Sequence, residues 1–170
     1  MPCYFAIIGA RDNPIYEAEF TSQQLNSFPP ELKELNPFIL HASLDIIEDL
    51  QWQVNPQSIN SGSGSGGFLR SRNSSNNGNC YLGKIDHFYG LAITGYLSYG
   101  NMKFVMIHSS NANGSTLAQV EDWSVRSFYQ EVHELFVKTL MNPFYKLNDP
   151  ITSPVFDSKV RALARRYLLK

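Results

Sequence analysis

His41 and Asp45 stand four residues apart in the stretch NPFILHASLDIIEDLQW, Asn36 to Trp52. On a helix this spacing brings the imidazole and the carboxylate onto one face, within reach of each other. A carboxylate that orients a histidine is half of a general-base device. The other half is a nucleophile, and the hydroxyl between them, Ser43, points to the opposite side of such a helix. The pair therefore reads as a surface or interface feature. His87 and His108 fall at strand boundaries and read as structural or surface histidines; His133 completes the set of candidate bases.

Other chemistries lack their residues. Cys3 and Cys80 have neither a C-x-x-C partner nor a histidine at ligand spacing, so no metal is expected. Two such cysteines suit a reduced, cytosolic protein. GSGSGG resembles a phosphate loop in composition alone, because no strand leads into it and no Lys-Ser/Thr closes it. No cofactor is expected. The net charge of −1 supplies no field toward nucleic acid or lipid, and the aromatic residues fall at core spacing without a basic stripe. YFAIIG is too short and lacks the basic flank of a signal peptide. No apolar run approaches the roughly 20 residues that span a bilayer, and MPCY lacks the glycine that myristoylation requires.

The elements that must position these residues follow from periodicity. CYFAIIG is apolar on both alternating faces, as a strand inside a covered sheet is. RDNP turns the chain. IYEAEF then alternates Tyr16, Ala18 and Phe20 inward with Glu17 and Glu19 outward, giving a hairpin. SQQLNSFPPELKEL reads as a polar connection. Asn36 as cap and Pro37 at the first helical position predict a helix from Pro37 to about Val54. Its core stripe would be Ile39, Leu40, Ser43, Ile46, Ile47, Leu50 and Val54. Phe38, His41, Asp45, Glu48, Asp49 and Trp52 would face outward. Three strands follow in CYLGKIDHF, LAITGYLSY and KFVMIHS. A helix from Asp122 to Met141 and a third begun by Ser153-Pro154 complete the chain.

The expected order is β-β-α-β-β-β-α-α: one α+β domain over residues 1–170, a mainly antiparallel sheet with helices on its faces. The first strand should lie inside the sheet, with the fifth against its free edge. Residues 55–79 are rich in Gly, Ser and Asn and predict a flexible insert, with FLRSR a basic-apolar island inside it. Five acids and one lysine lie between Glu31 and Asp49, and five bases with no acid between Lys159 and Lys170. The basic end suits a solvated helix face near a C-terminal dipole. Aromatic rings beside charges, as at Phe38 and Trp52, are typical interface anchors. Val137 and Met141 offer a second contact edge.

Taken together, YFAIIGARDNPIYEAEF, LNPFILHASLDIIEDLQW, GLAITGYLSYGNMKFVMIH, SFYQEVHELFVKTLMNPFY and SPVFDSKVRALARRYL resemble the sedlin family, small subunits of the TRAPP transport-particle complex. The match is especially close to the fungal type, and the 55–79 insert departs from shorter members. The resemblance implies a longin-like (SNARE-like) fold: five antiparallel strands, one helix on one face and two on the other. It implies a noncatalytic adaptor that joins the complex core to larger subunits in endoplasmic reticulum to Golgi transport and autophagy. Partners would be a small longin-like neighbour, larger peripheral subunits and, indirectly, a Rab GTPase, on Golgi and endoplasmic reticulum membranes. The family's helix-one aspartate maps onto Asp45. The alternative is a module for a small apolar ligand or lipid, in a groove lined by Phe104, Met106 and Phe136.

Overall fold

The computed structural model describes residues 2–21, 28–53, 80–109 and 122–169; the expected 55–79 insert and its FLRSR island lie outside them. The elements are β1 (Cys3–Ile8), β2 (Pro14–Phe20), α1 (Pro30–Gln53), β3 (Tyr81–Phe88), β4 (Leu91–Leu97), β5 (Lys103–Ser109), α2 (Asp122–Leu140) and α3 (Pro154–Tyr167). The strands form one antiparallel sheet in the order β2-β1-β5-β4-β3. β1 sits inside it, with Phe5 opposite Ala18 on one side and Met106 on the other.

Alternation along β1 assigns the two faces. Phe5 and Ile7 point toward α2 and α3, while Ala6 and Ile8 point toward α1. On the α2–α3 face, Phe5 meets Phe128 edge-on at 5.3 Å, and Phe104 meets Phe136 edge-on at 5.7 Å. Such contacts add to the burial of the rings themselves. On the α1 face the core is aliphatic: Ile39, Leu40, Leu44 and Ile47 against Ile93, Val105 and Ile107. Phe104, Met106 and Phe136 are closed in the first of these cores, at most 1% exposed. They line no groove, which removes the ligand site expected of them.

α1 corrects the sequence reading twice. It begins at Pro30, so Pro37 lies within the helix and Asn36 is not its cap. Pro30 supplies the proline start, Glu31 the first-turn acid, and Lys33 N–H donates to the Pro29 carbonyl at 2.9 Å. Pro37 removes one helical hydrogen bond, on the solvent side of the helix. The buried stripe is also turned: Asn36, Leu44 and Ile47 are within it, while Ile46 and Leu50 are half-buried at its margin. Val54 lies outside the described residues.

Polar contacts lock the ends of the sheet. The Lys103 ammonium, almost fully buried, meets the Asp12 carboxylate of the β1–β2 turn at 2.6 Å. Asn148, in the α2–α3 connection, accepts from Ala10 N–H at 2.8 Å, and its carbonyl accepts from the Asn13 amide at 3.0 Å. Ile151 N–H donates to the Ile15 carbonyl, covering part of the β2 edge. The two-residue β3–β4 turn holds both Tyr89 and Gly90 at positive φ, as the twist of a hairpin favours. Ser153 caps α3 from its side chain, as its sequence implies. Arg161 and the Tyr16 hydroxyl both donate to Asp157, tying α3 to β2 and holding that carboxyl below its ordinary range.

Inside the α2–α3 face, the Tyr129 hydroxyl donates to the Thr94 carbonyl at 2.8 Å and lies 3.0 Å from the Thr94 hydroxyl. Tyr129→Phe is expected to lower stability by about 1–3 kcal/mol in urea unfolding, since it strips a partner from buried Thr94; an unchanged midpoint would contradict this. Burial pushes the Cys3 thiol up to about 12. Native protein at pH 8 should therefore leave Cys3 unalkylated by iodoacetamide, with reaction appearing on unfolding. Peptide mapping reads the site, and half-buried Cys80 serves as the internal comparison.

Candidate functional site: the outer face of the first helix

α1 has its apolar side on β3, β4 and β5, which leaves its other side free of the sheet. Phe38 is there, 73% exposed, in a helix where a ring of its size would otherwise be drawn to the core. His41, Asp45, Glu48 and Asp49 are exposed on the same helix, so five of the six expected outward residues face solvent. Trp52 lies within α1, but its side chain is outside the described residues. Leu35, 44% exposed, extends the ridge by one turn: Leu35, Phe38, Ala42, Asp45 and Asp49 follow helical spacing. Sequence reasoning missed Leu35 because it assigned that segment to a connection.

The face offers little for catalysis. Ser43 is 1% exposed and donates to the Leu40 carbonyl at 2.6 Å, turned away from His41 and Asp45. Among the described residues no group of three His, Cys, Asp or Glu side chains could hold a metal ion. His133, half-buried against the rings of Tyr96 and Phe104, has its pKa lowered by desolvation and serves packing. What the α1 face does offer is a protruding apolar anchor beside a row of carboxylates. Such a surface can dock a partner that brings an apolar pocket with cations next to it.

A second set of exposed apolar side chains lies where α2 ends. Met141 is 75% exposed, Phe144 92% and Leu147 58%. Val137, paired with Met141 in the sequence reading, is half-buried instead. Pro143 stops the helix before these side chains can fold back on it, a signal present in MNPFY.

Because Asp45 is exposed and its carboxylate forms no hydrogen bond or ion pair among the described residues, Asp45→Ala should shift stability by no more than about 0.5 kcal/mol in the isolated protein. A larger loss in chemical denaturation would mean that the carboxylate serves the fold.

Comparison with known proteins agrees with this architecture. The chain is 66% identical to trafficking protein particle complex subunit 20 of Saccharomyces cerevisiae, with all of both chains covered. It is 37% identical to the transport protein particle 20 kDa subunit of Schizosaccharomyces pombe, over 99% of this chain and all of the relative. It is 28% identical to a probable trafficking protein particle complex subunit 2 of Drosophila melanogaster, over 98% of this chain and 96% of the relative. The family model described as Sedlin matches residues 7–166. With that match across nearly the whole chain, and a five-stranded antiparallel sheet flanked by three helices beneath it, the protein belongs to the sedlin family and has its longin-like fold.

Proposed function

We propose that this protein is an adaptor subunit of a trafficking protein particle complex, without catalytic activity of its own, and that it links the complex core to a larger subunit through the outer face of α1. The reading carries with it a role in vesicle transport between endoplasmic reticulum and Golgi and in autophagy. It places the protein at the surface of those membranes, with Rab GTPase exchange performed by other subunits. The relatives that share its whole length are named as subunits of such particles. The observation that carries the site is Phe38, 73% exposed on the helix that also exposes Asp45, Glu48 and Asp49. Membrane attachment would then come from partners, since no helix among the described residues is long and apolar enough to cross a bilayer.

Asp45 is the specificity element in this reading. In the free subunit it is hydrated at little cost. In the complex it loses water, and a cationic partner must replace that hydration. A charged hydrogen bond of this kind contributes about 1.5–3 kcal/mol, roughly 10- to 150-fold in affinity. Asp45→Tyr removes the charge and adds bulk where the partner must approach. It should weaken binding to the larger subunits by at least about 10-fold, while thermal unfolding of the isolated variant stays near that of the parent. Purified subunits and titration calorimetry provide the measurement. Unaltered affinity would remove Asp45 from the interface, and a variant that unfolds by itself would reassign it to the fold.

A further inference from the structure

α2 and α3 run antiparallel, with Trp123 at the start of one against Tyr167 at the end of the other. A shallow furrow of about 410 Å³ lies between them, its floor formed by half-buried Leu135 and Leu163 with exposed Ala162. It continues past Lys159 and Ala162 into a second hollow of about 430 Å³ along the outer side of α3, beside Val155 and Ser158. Val155 is 60% exposed there. The furrow follows α3 from Pro154 to Leu163, about 14 Å at helical rise. Ser158 and Ala162 are small, so a second backbone can come close.

Charge selects the occupant. Lys138 and Lys159 line the furrow, and neither forms an ion pair among the described residues. On the α2 wall, which also carries Lys138, Glu131 is already engaged by the Tyr167 hydroxyl and by Arg166 at 3.9 Å, which leaves Glu134 as the free carboxylate. The furrow thus presents two unpaired cations against one unpaired anion. We infer that it is a second docking surface and that its occupant is an amphipathic α-helix of a neighbouring subunit, with an apolar stripe edged by carboxylates that meet Lys138 and Lys159. Apolar residues one turn apart would fill the floor, in the manner of a helix laid in a groove. This inference rests on the reading of the protein as a complex subunit. It places the second partner on the side of the sheet opposite α1.

The test uses complexes reconstituted from purified particle subunits, with the full chain carrying Ala162→Arg or the double reversal Lys138→Glu/Lys159→Glu. Both changes are at exposed helix positions, and circular dichroism checks that each variant folds. Each is expected to weaken one neighbour by about 10-fold or more, with binding through α1 intact, whereas Asp45→Tyr does the reverse. A photoreactive residue at Ser158 should cross-link to a helical, carboxylate-bearing segment of that neighbour. Full assembly by both furrow variants, or a cross-link to a second copy of this chain or to an extended segment, overturns the furrow and leaves the α1 reading standing. Failure of the parent protein to assemble with any particle subunit overturns both.

Discussion

β1 is a strand without a wet face. Phe5 and Ile7 need cover on one side, Ala6 and Ile8 on the other, and all four are within 2% of full burial. At about 25 cal/mol per Å² of apolar surface, leaving either side bare would forfeit several large side chains' worth of stabilisation. The sheet must therefore be sandwiched. α1 closes one side and the α2–α3 pair closes the other, and every other feature of the molecule is arranged around that requirement. The central strands β5 and β4 obey it too, with Phe104 and Met106 facing the helix pair and Val105 and Ile107 facing α1.

A sandwich of this kind leaves each helix with a side the sheet does not use. In α1 that side is acidic and carries Phe38. In the α2–α3 pair it is a furrow with unpaired lysines. The two surfaces lie on opposite sides of the sheet, so partners occupying them do not compete for space. In the proposed reading, a small domain bridges two larger bodies in this way. The polar pairs that rigidify it, Lys103 with Asp12 and Asn148 with the β1–β2 turn, are at the strand ends and leave both outer faces alone. The side-chain networks thus hold the ends of the sheet, while the outer faces keep their polar groups in water.

Most of the architecture was legible because it is written in periods of two and of 3.6. The doubly apolar β1, the half-wet β2 and the stripe of α2 through Val125, Phe128, Tyr129, Val132, Leu135, Phe136 and Leu140 are local patterns, and burial follows them except at half-buried Leu135 and at Leu140, which is 39% exposed. The start of α1 was not legible. Two proline signals compete, at Pro30 and at Pro37, and local capping logic favours the second. Phe28 and Leu32 pack against the sheet side together with Ile39 and Leu40, and the helix runs from the first proline through the second. The buried stripe is also rotated a little from the one periodicity predicts, with Leu44 inside and Leu35 outside. The outward position of Asp45 survived this, since a small rotation cannot carry a residue from the back of a helix to its front.

From the sequence alone come the number and kind of elements, the sandwich they must form, and the segregation of acid to α1 and base to α3, since each of these depends on residues close together in the chain. Only tertiary structure decided that Phe104, Met106 and Phe136 close into a core rather than line a groove, because that depends on how tightly α2 is drawn onto the sheet. It alone decided that Lys138 and Lys159 share one furrow, because helix pairing, not sequence distance, brings position 138 beside position 159.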